Sequence, residues 1–302
     1  MGKNRKKNGW STAGPILLVL AGLAVLITLL LRDTNVALFN SKGLIADEQQ
    51  SLMLLTVGIM LILGIPAVCL IYFTAWRYRE SNTRPARNPN AGHGKLLNAS
   101  MWLVPGAIAL VLAMILWPAT HHLAPQKQIA AEAKPLTIQV VALRWKWLFI
   151  YPEQKIATVN YVQVPVGTPV TFELTADEAP MSSFWIPNLG GMLYAMTGHV
   201  NRLNLLATVP GDYPGSSAEI NGAGFAGMKF TASATSKETF DQWVRDVSLT
   251  AKTMDGTEYD KLLKPSENNP SELYSLLEND LYDKVVMKYM GSHEAHTDGA
   301  HH

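Results

Sequence analysis

One cysteine in 302 residues, Cys69, makes thiol chemistry the scarcest resource of this chain. No disulfide framework can form within it, and a cysteine-based metal site would have a single thiolate to draw on. Cys69 also lies inside an apolar run. Charge is sparse too, at 16% Asp, Glu, Lys and Arg, and it is unevenly spread. Residues 1–118 carry 11 Lys and Arg against 4 Asp and Glu, whereas residues 119–302 carry 14 against 20. The later part holds no Lys/Arg cluster that could track phosphates, which excludes a nucleic-acid partner. A basic half beside long apolar runs reads as membrane flanks.

The chain is 48% hydrophobic, and much of that sits in three uncharged stretches, Asn8–Leu31, Gln49–Trp76 and Leu96–Gln126. Each is long enough for a helix that crosses the hydrocarbon core, which takes about 20 residues. The first follows Lys3, Arg5, Lys6 and Lys7, a charged start typical of a secretion signal or an uncleaved anchor. It ends LLLRDTNVALFN without a clear small-x-small cleavage pattern. Residues 1–33 are therefore read as a signal anchor, with a signal peptide as the alternative. Residues 34–126 form a transmembrane hairpin with spans at about 50–76 and 97–118. Arg77, Arg79, Arg84, Arg87 and Lys95 gather between the two spans and place that loop in the cytoplasm. Everything beyond about residue 119 then lies in the periplasm of a multi-pass protein of the bacterial inner membrane, in contact with its lipid.

After residue 134 the texture changes to short β-branched and aromatic runs, such as LTIQVVAL, RWKWLFIY, TPVTFELTA, SSFWIP and MKFTASAT. Turns such as PVGTP, PNLGG, PGDYPG and NGAG separate them, which argues for a β-sandwich or barrel. From residue 235 the period becomes helical. Thr235 and Glu238 have the spacing of a capping box, with Phe240, Trp243, Val244 and Val247 on one face. Leu273, Leu276, Leu277, Leu281, Val285 and Tyr289 suggest a second amphipathic helix after Pro270. The domain expectations are a sandwich over 127–235, a helical extension over 236–290 and a disordered His-rich tail over 291–302.

The stretch GSSAEINGAGFAGM has the spacing C-x-E-x-C-x-x-x-H-x-x-M, with Ser217, Glu219, Asn221, Phe225 and Met228 at the marked places. That spacing resembles the dinuclear-copper loop of subunit II of the haem–copper oxidases. RWKWLFIYPEQKIATVN, SFWIPNLGGMLYAMTG and GFAGMKFTA are similar to the quinol-oxidising, bo-type branch of that family. The resemblance runs from about residue 40 to 290. It implies a membrane α-helical anchor of two transmembrane helices, which here follow the N-terminal signal anchor read from the charged start. An all-β cupredoxin-like sandwich and a short α-helical C-terminal extension follow. It also implies partnership with subunit I and smaller membrane subunits, with ubiquinol as the substrate of the complex. Haems and copper are expected in subunit I, and catalytic and cofactor-binding residues are expected to be absent from this chain.

The departures from the copper-bearing relatives carry the functional expectation. Where those have a histidine before a Ser-Trp segment, this chain has Ser182. Ser217 and Asn221 stand in the thiolate places and Phe225 in an imidazole place, leaving the thioether of Met228. Dinuclear copper needs bridging thiolates and imidazoles, so no copper centre is expected. A lipidated cysteine of the bo-type branch would fall near Thr34, so lipid attachment is not expected either. Trp145 and Trp147, one strand period apart, are candidates for packing on subunit I. Glu219 reads as a solvated turn residue, His121 and His122 as polar residues of the membrane edge, and Met192 and Met196 as packing. Two alternatives stay open. One is a cytochrome c oxidase subunit with altered ligands; the other is a membrane-anchored metal-binding protein using His293, His296, His301 and His302.

Overall fold

A computed structural model describes residues 36–79, 82, 94–131, 133–250, 252–277 and 280–297. The expected anchor over 1–33, Thr34, Arg84, Arg87, His301 and His302 lie outside the described residues. Of the smaller unit, residues 1–40, only 36–40 are described, with one 3-10 turn, Ala37–Phe39; Ser41 onward forms the larger unit.

Two long helices open the larger unit: α1, Leu44–Arg77, and α2, Lys95–His122. Their most apolar stretches have mean hydropathies of 2.7 and 2.2, and none of that surface is buried inside the chain. At 1.5 Å per residue, α1 and α2 reach about 50 Å and about 40 Å, more than the roughly 30 Å hydrocarbon core. Both expected spans fall inside them, as do Pro66, Pro105 and Pro118.

A two-sheet β-sandwich follows. Its larger sheet uses β1 (Leu136–Leu143), β2 (Lys146–Tyr151), β3 (Ile156–Val159), β5 (Val170–Ala176) and β8 (Asn201–Leu205). The smaller sheet uses β4 (Tyr161–Pro165), β6 (Ser182–Trp185), β7 (Leu193–Ala195), β9 (Gly211–Ser217) and β10 (Lys229–Thr235). Two further strands, β11 (Lys252–Met254) and β12 (Glu272–Leu276), extend the larger sheet, giving the order β11-β12-β3-β2-β1-β5-β8 against β4-β10-β9-β6-β7. β1 pairs parallel with β5, Leu136 opposite Val170, and β4 pairs parallel with β10.

Between the sheets sits an aromatic cluster. The rings of Phe184 and Phe230 stack at 5.0 Å, and Trp147 meets them edge-on at 5.3 Å and 5.9 Å. Side chains alternate along β2: Trp147, Phe149 and Tyr151 face this core, whereas Leu148 and Ile150 face the other way. The outward set is buried as well, because residues beyond 250 cover it with Met254, Tyr259, Tyr274, Tyr282, Val285 and Val286. Burial on both faces explains why WLFIY reads as an unbroken apolar run. Each such aliphatic side chain contributes about 1.5–3 kcal/mol when taken out of water.

The C-terminal part departs from its expected helical reading. Helices α3 (Lys237–Thr250), α4 (Gly256–Leu263) and α5 (Leu281–Thr297) are present. The segment 272–276 is instead strand β12, paired antiparallel with β3 through Glu272–Val159 and Leu273–Thr158. The open edge of β3 offers a row of hydrogen-bond partners, and that tertiary demand overrides the helical spacing of the leucines. The cap of α3 lies one residue later than Thr235: Ser236 Oγ accepts from Thr239 N at 3.2 Å. Phe240 and Val247 are buried on its inner face as expected, and Trp243 packs edge-on against Tyr151 at 5.6 Å. Helix α5 continues to Thr297, so the expected disorder of 291–302 does not hold through that residue, and 298–302 lie outside the described residues. The PGDYPG turn is also corrected, since it lies largely within β9. Gly215 is there for space: a Cβ would meet the Phe230 ring at 2.2 Å.

The sandwich is fastened directly to α1. Gly43 bridges Ala207, Leu44 N donates to Leu206 O at 3.1 Å, and Ala46 N donates to Leu189 O at 3.2 Å. A Cβ on Gly43 would stand 2.7 Å from Leu189 O and 2.9 Å from Leu206 O. The segment Ser41-Lys42-Gly43 therefore marks a contact of backbone on backbone.

Candidate functional site

The loop of residues 217–228 closes between the end of β9 and the start of β10, where Ser217 N donates to Met228 O at 3.2 Å. Most of its polar groups pair with one another, but Asn221 Oδ1 is buried with no partner among the described residues. Asn221 Nδ2 donates to Ser182 Oγ at 2.8 Å and to Met228 Sδ at 3.1 Å. Ser183 Oγ accepts from Ala218 N and Glu219 N at 2.8 Å and 2.7 Å, and lies 3.5 Å from Ser217 Oγ. Ser217 Oγ in turn donates to Glu219 O at 3.1 Å.

Ser182, Asn221 and Met228 thus form one hydrogen-bonded cluster, with Ser217 joined to it through its backbone N–H to Met228 O. Phe225 is half-buried in a 3-10 turn, Phe225–Gly227. Glu219 is exposed and accepts from Tyr194 OH at 2.5 Å, a bond that raises the tyrosine pKa. Of the methionines, Met228 is buried, whereas Met192 is 38% exposed and does not fit its packing expectation.

These donors do not fit dinuclear copper. They are two hydroxyls, a carboxamide and a thioether, with no thiolate or imidazole among them, and the sulfur and one hydroxyl already accept the Asn221 amide protons. Among the described residues, no three His, Cys, Asp or Glu side chains gather as a metal-ligand group.

The tryptophan pair is split. Trp145 sits in the two-residue connection between β1 and β2 with φ 63°, and its ring lies over the loop glycines, where a Cβ on Gly224 would meet it at 2.4 Å. Trp147 is 0% exposed inside the sandwich core. It has no surface left for another subunit, so its expected interface role is corrected. One strand period assumed both residues lay in β2, but the chain turns at Trp145.

Beside the loop is a polar knot that sequence reasoning missed. Asp177, 1% exposed, accepts from Tyr259 OH at 2.6 Å, Tyr289 OH at 2.6 Å and Lys288 Nζ at 2.9 Å. Glu178, at φ 48°, pairs with the same lysine at 2.9 Å. Burial pushes the Tyr259 hydroxyl far above its ordinary value, with the Asp177 charge adding to it. Burial alone would lower Lys288, but the Glu178 and Asp177 carboxylates outweigh it and hold the lysine above its ordinary value. The knot joins the β5–β6 connection to α4 and α5. Only the acidic pair Asp177–Glu178 directly after a strand hinted at it, and such pairs are usually solvated.

At the other end of the sandwich, His122 Nε2 lies 3.3 Å from Glu48 Oε2 and ties the ends of α1 and α2. His121 Nδ1 lies 2.8 Å from Trp117 O, with the two rings 5.0 Å apart. His293 and His296 fall on α5.

Sequence comparisons with known proteins agree on one family. Residues 151–235 match the family model for the cytochrome c oxidase subunit II periplasmic domain, and 250–293 match the COX aromatic rich motif. Cytochrome bo(3) ubiquinol oxidase subunit 2 of Pseudomonas putida is 46% identical over 87% of this chain and 83% of its own length. Ubiquinol oxidase subunit 2 of Acetobacter aceti is 43% identical over 86% and 85%. Among solved structures, the periplasmic domain of subunit II of cytochrome oxidase of Bradyrhizobium japonicum aligns over 44% of this chain and 99% of its own, at 21% identity and a TM-score of 0.36.

Proposed function

The chain belongs to the family of subunit 2 of the cytochrome bo-type ubiquinol oxidases, and on that premise we propose that it is the copper-free, non-catalytic second subunit of a proton-pumping complex. That complex oxidises ubiquinol and reduces oxygen to water. In this reading the haems and copper reside in subunit I, α1 and α2 pack in the inner membrane beside it, and the sandwich caps it from the periplasm. Trp145 is the remaining candidate for an interfacial aromatic.

The observation that carries the reading is the hydrogen-bonded Ser182–Asn221–Met228 cluster in the place of a relay metal. A water-soluble one-electron donor arriving at the periplasmic face would need such a relay. A quinol dissolved in the bilayer can deliver electrons from the membrane plane, so the loop is free to become purely structural. The sandwich keeps its value as a rigid cap, because its core and its link to α1 do not depend on the metal.

The test is oxygen consumption by the detergent-purified complex with each donor in turn. Ubiquinol should sustain turnover, and reduced cytochrome c should not. Turnover on cytochrome c matching that on ubiquinol would overturn the proposal.

A further inference from the structure

A cavity of about 310 Å³ lies where the membrane hairpin meets the sandwich, lined by Ile45, Glu48, Gln49, His122, Lys127 and Leu203. A second space of about 410 Å³ adjoins it, sharing Glu48, His122 and Leu123, and runs along α1 and α2 over Leu52, Leu55 and Ala119. The two parts differ in chemistry. The upper one has a charged rim: Lys127 Nζ lies 3.2 Å from His122 Nδ1, and His122 Nε2 lies 3.3 Å from Glu48 Oε2. The Gln49 carboxamide adds donors and an acceptor there, and has no hydrogen-bond partner among the described residues. The lower part adds Asp47 and Ser51 beside the shared Glu48 and His122, becomes apolar over Leu52, Leu55 and Ala119, and faces the level of the acyl chains if the hairpin spans the membrane as read above. The upper wall is held in place, since Asn204 N and Nδ2 both donate to Pro125 O, at 3.0 Å and 3.1 Å, and Thr171 Oγ1 donates to Asn204 Oδ1 at 2.7 Å.

We propose that these two adjoining cavities together form a binding site for one membrane phospholipid with a zwitterionic, ammonium-bearing headgroup. Lys127 and Gln49 would receive the phosphate, Glu48 the ammonium, and the groove between the helices one acyl chain. An apolar groove adjoining a charged rim matches an amphiphile and not free phosphate. Opposite charges on that rim match a zwitterion better than a neutral quinol ring. The volume lies within the ordinary range for ligand sites, about 300–1,000 Å³.

The test uses the intact complex, washed extensively in detergent, with bound lipids and quinones quantified by mass spectrometry. Wild type should retain phosphatidylethanolamine. Lys127→Ala should weaken rebinding of added phosphatidylethanolamine about tenfold, the loss of one charge-assisted contact. Glu48→Gln should abolish the preference for phosphatidylethanolamine over phosphatidylglycerol, and Lys252→Ala, at a remote exposed lysine, should change nothing. Inorganic phosphate should not displace the lipid. Unaltered binding in both cavity variants, displacement by phosphate, or a quinone held in place of the lipid would each overturn the site. A chain that fails to fractionate with membranes would instead overturn the spanning reading on which the site rests.

Discussion

Replacing Asp177 with alanine should release the C-terminal extension while leaving the sandwich folded. The carboxylate is the shared acceptor for Tyr259, Tyr289 and Lys288. Tyr259 is 6% exposed, so its hydroxyl cannot turn to water and carries the cost of a buried unpaired donor, about 1–3 kcal/mol. Tyr289 and Lys288 can rehydrate and together add at most about 1–2 kcal/mol, less where salt screens the lysine. A loss near 3 kcal/mol corresponds to roughly a hundredfold rise in the open population of the extension. Hydrogen–deuterium exchange of the purified complex, read on peptides covering 252–276, reports that population directly when reclosing is fast. Those peptides should exchange about a hundredfold faster in Asp177→Ala, whereas peptides of β1 and β5 keep wild-type protection. Tyr259→Phe should cost less, about 1 kcal/mol, because the carboxylate keeps two partners. Exchange in 252–276 within about threefold of wild type, or equal acceleration in β1, would refute the idea that this knot holds the extension.

Three further outcomes follow from the geometry. Gly43→Ala drives a Cβ to 2.7 Å from Leu189 O; the complex should assemble poorly, measured as subunit I recovered with the chain, and normal recovery would contradict the need for a glycine. Lys146, 2% exposed, donates to Leu262 O, Lys264 O and Ser266 Oγ, so Lys146→Met should cost about 1–3 kcal/mol. Burial holds this lysine below its ordinary value, with Glu272 opposing, so the unfolded chain binds its proton more tightly. The stability advantage of wild type over Lys146→Met should therefore grow as pH rises from neutral toward about 10.4, as read from paired melting curves. A constant or shrinking difference would reverse the sign. Gly224→Ala places a Cβ 2.4 Å from the Trp145 ring; tryptophan emission should shift to the red as that ring is displaced, and an unmoved spectrum would show that the loop yields instead.

The membrane hairpin was legible because uncharged runs of this length have few other uses, and most sandwich strands because their apolar runs end at turn residues. Strand β9 was hidden by Gly211, Pro214 and Gly215, residues that usually mark turns. Pro214 is tolerated because β9 is paired with β10 along its length but with β6 only at Ser216 and Ser217. Strand β12 was hidden for the opposite reason: Leu273, Leu276 and Leu277 fit a helix, yet Leu273 is 38% and Leu277 67% exposed once the edge of β3 captures the segment. At the site, the positions of Ser182, Ser217, Asn221, Phe225 and Met228 were singled out by the family resemblance. Their hydrogen bonds could not be foreseen, because Ser183 and Tyr194 reach the loop only through the pairing of β6 with β9 and β7. The Asp177 knot spans more than 100 residues of chain, a distance over which local pattern carries no signal.

Electron paramagnetic resonance of the intact, oxidised complex tests the central claim most directly. The replaced donors predict no mixed-valence dinuclear copper signal from the sandwich of this chain. A signal of that kind, lost on unfolding the sandwich and retained when subunit I is stripped of copper, would contradict it.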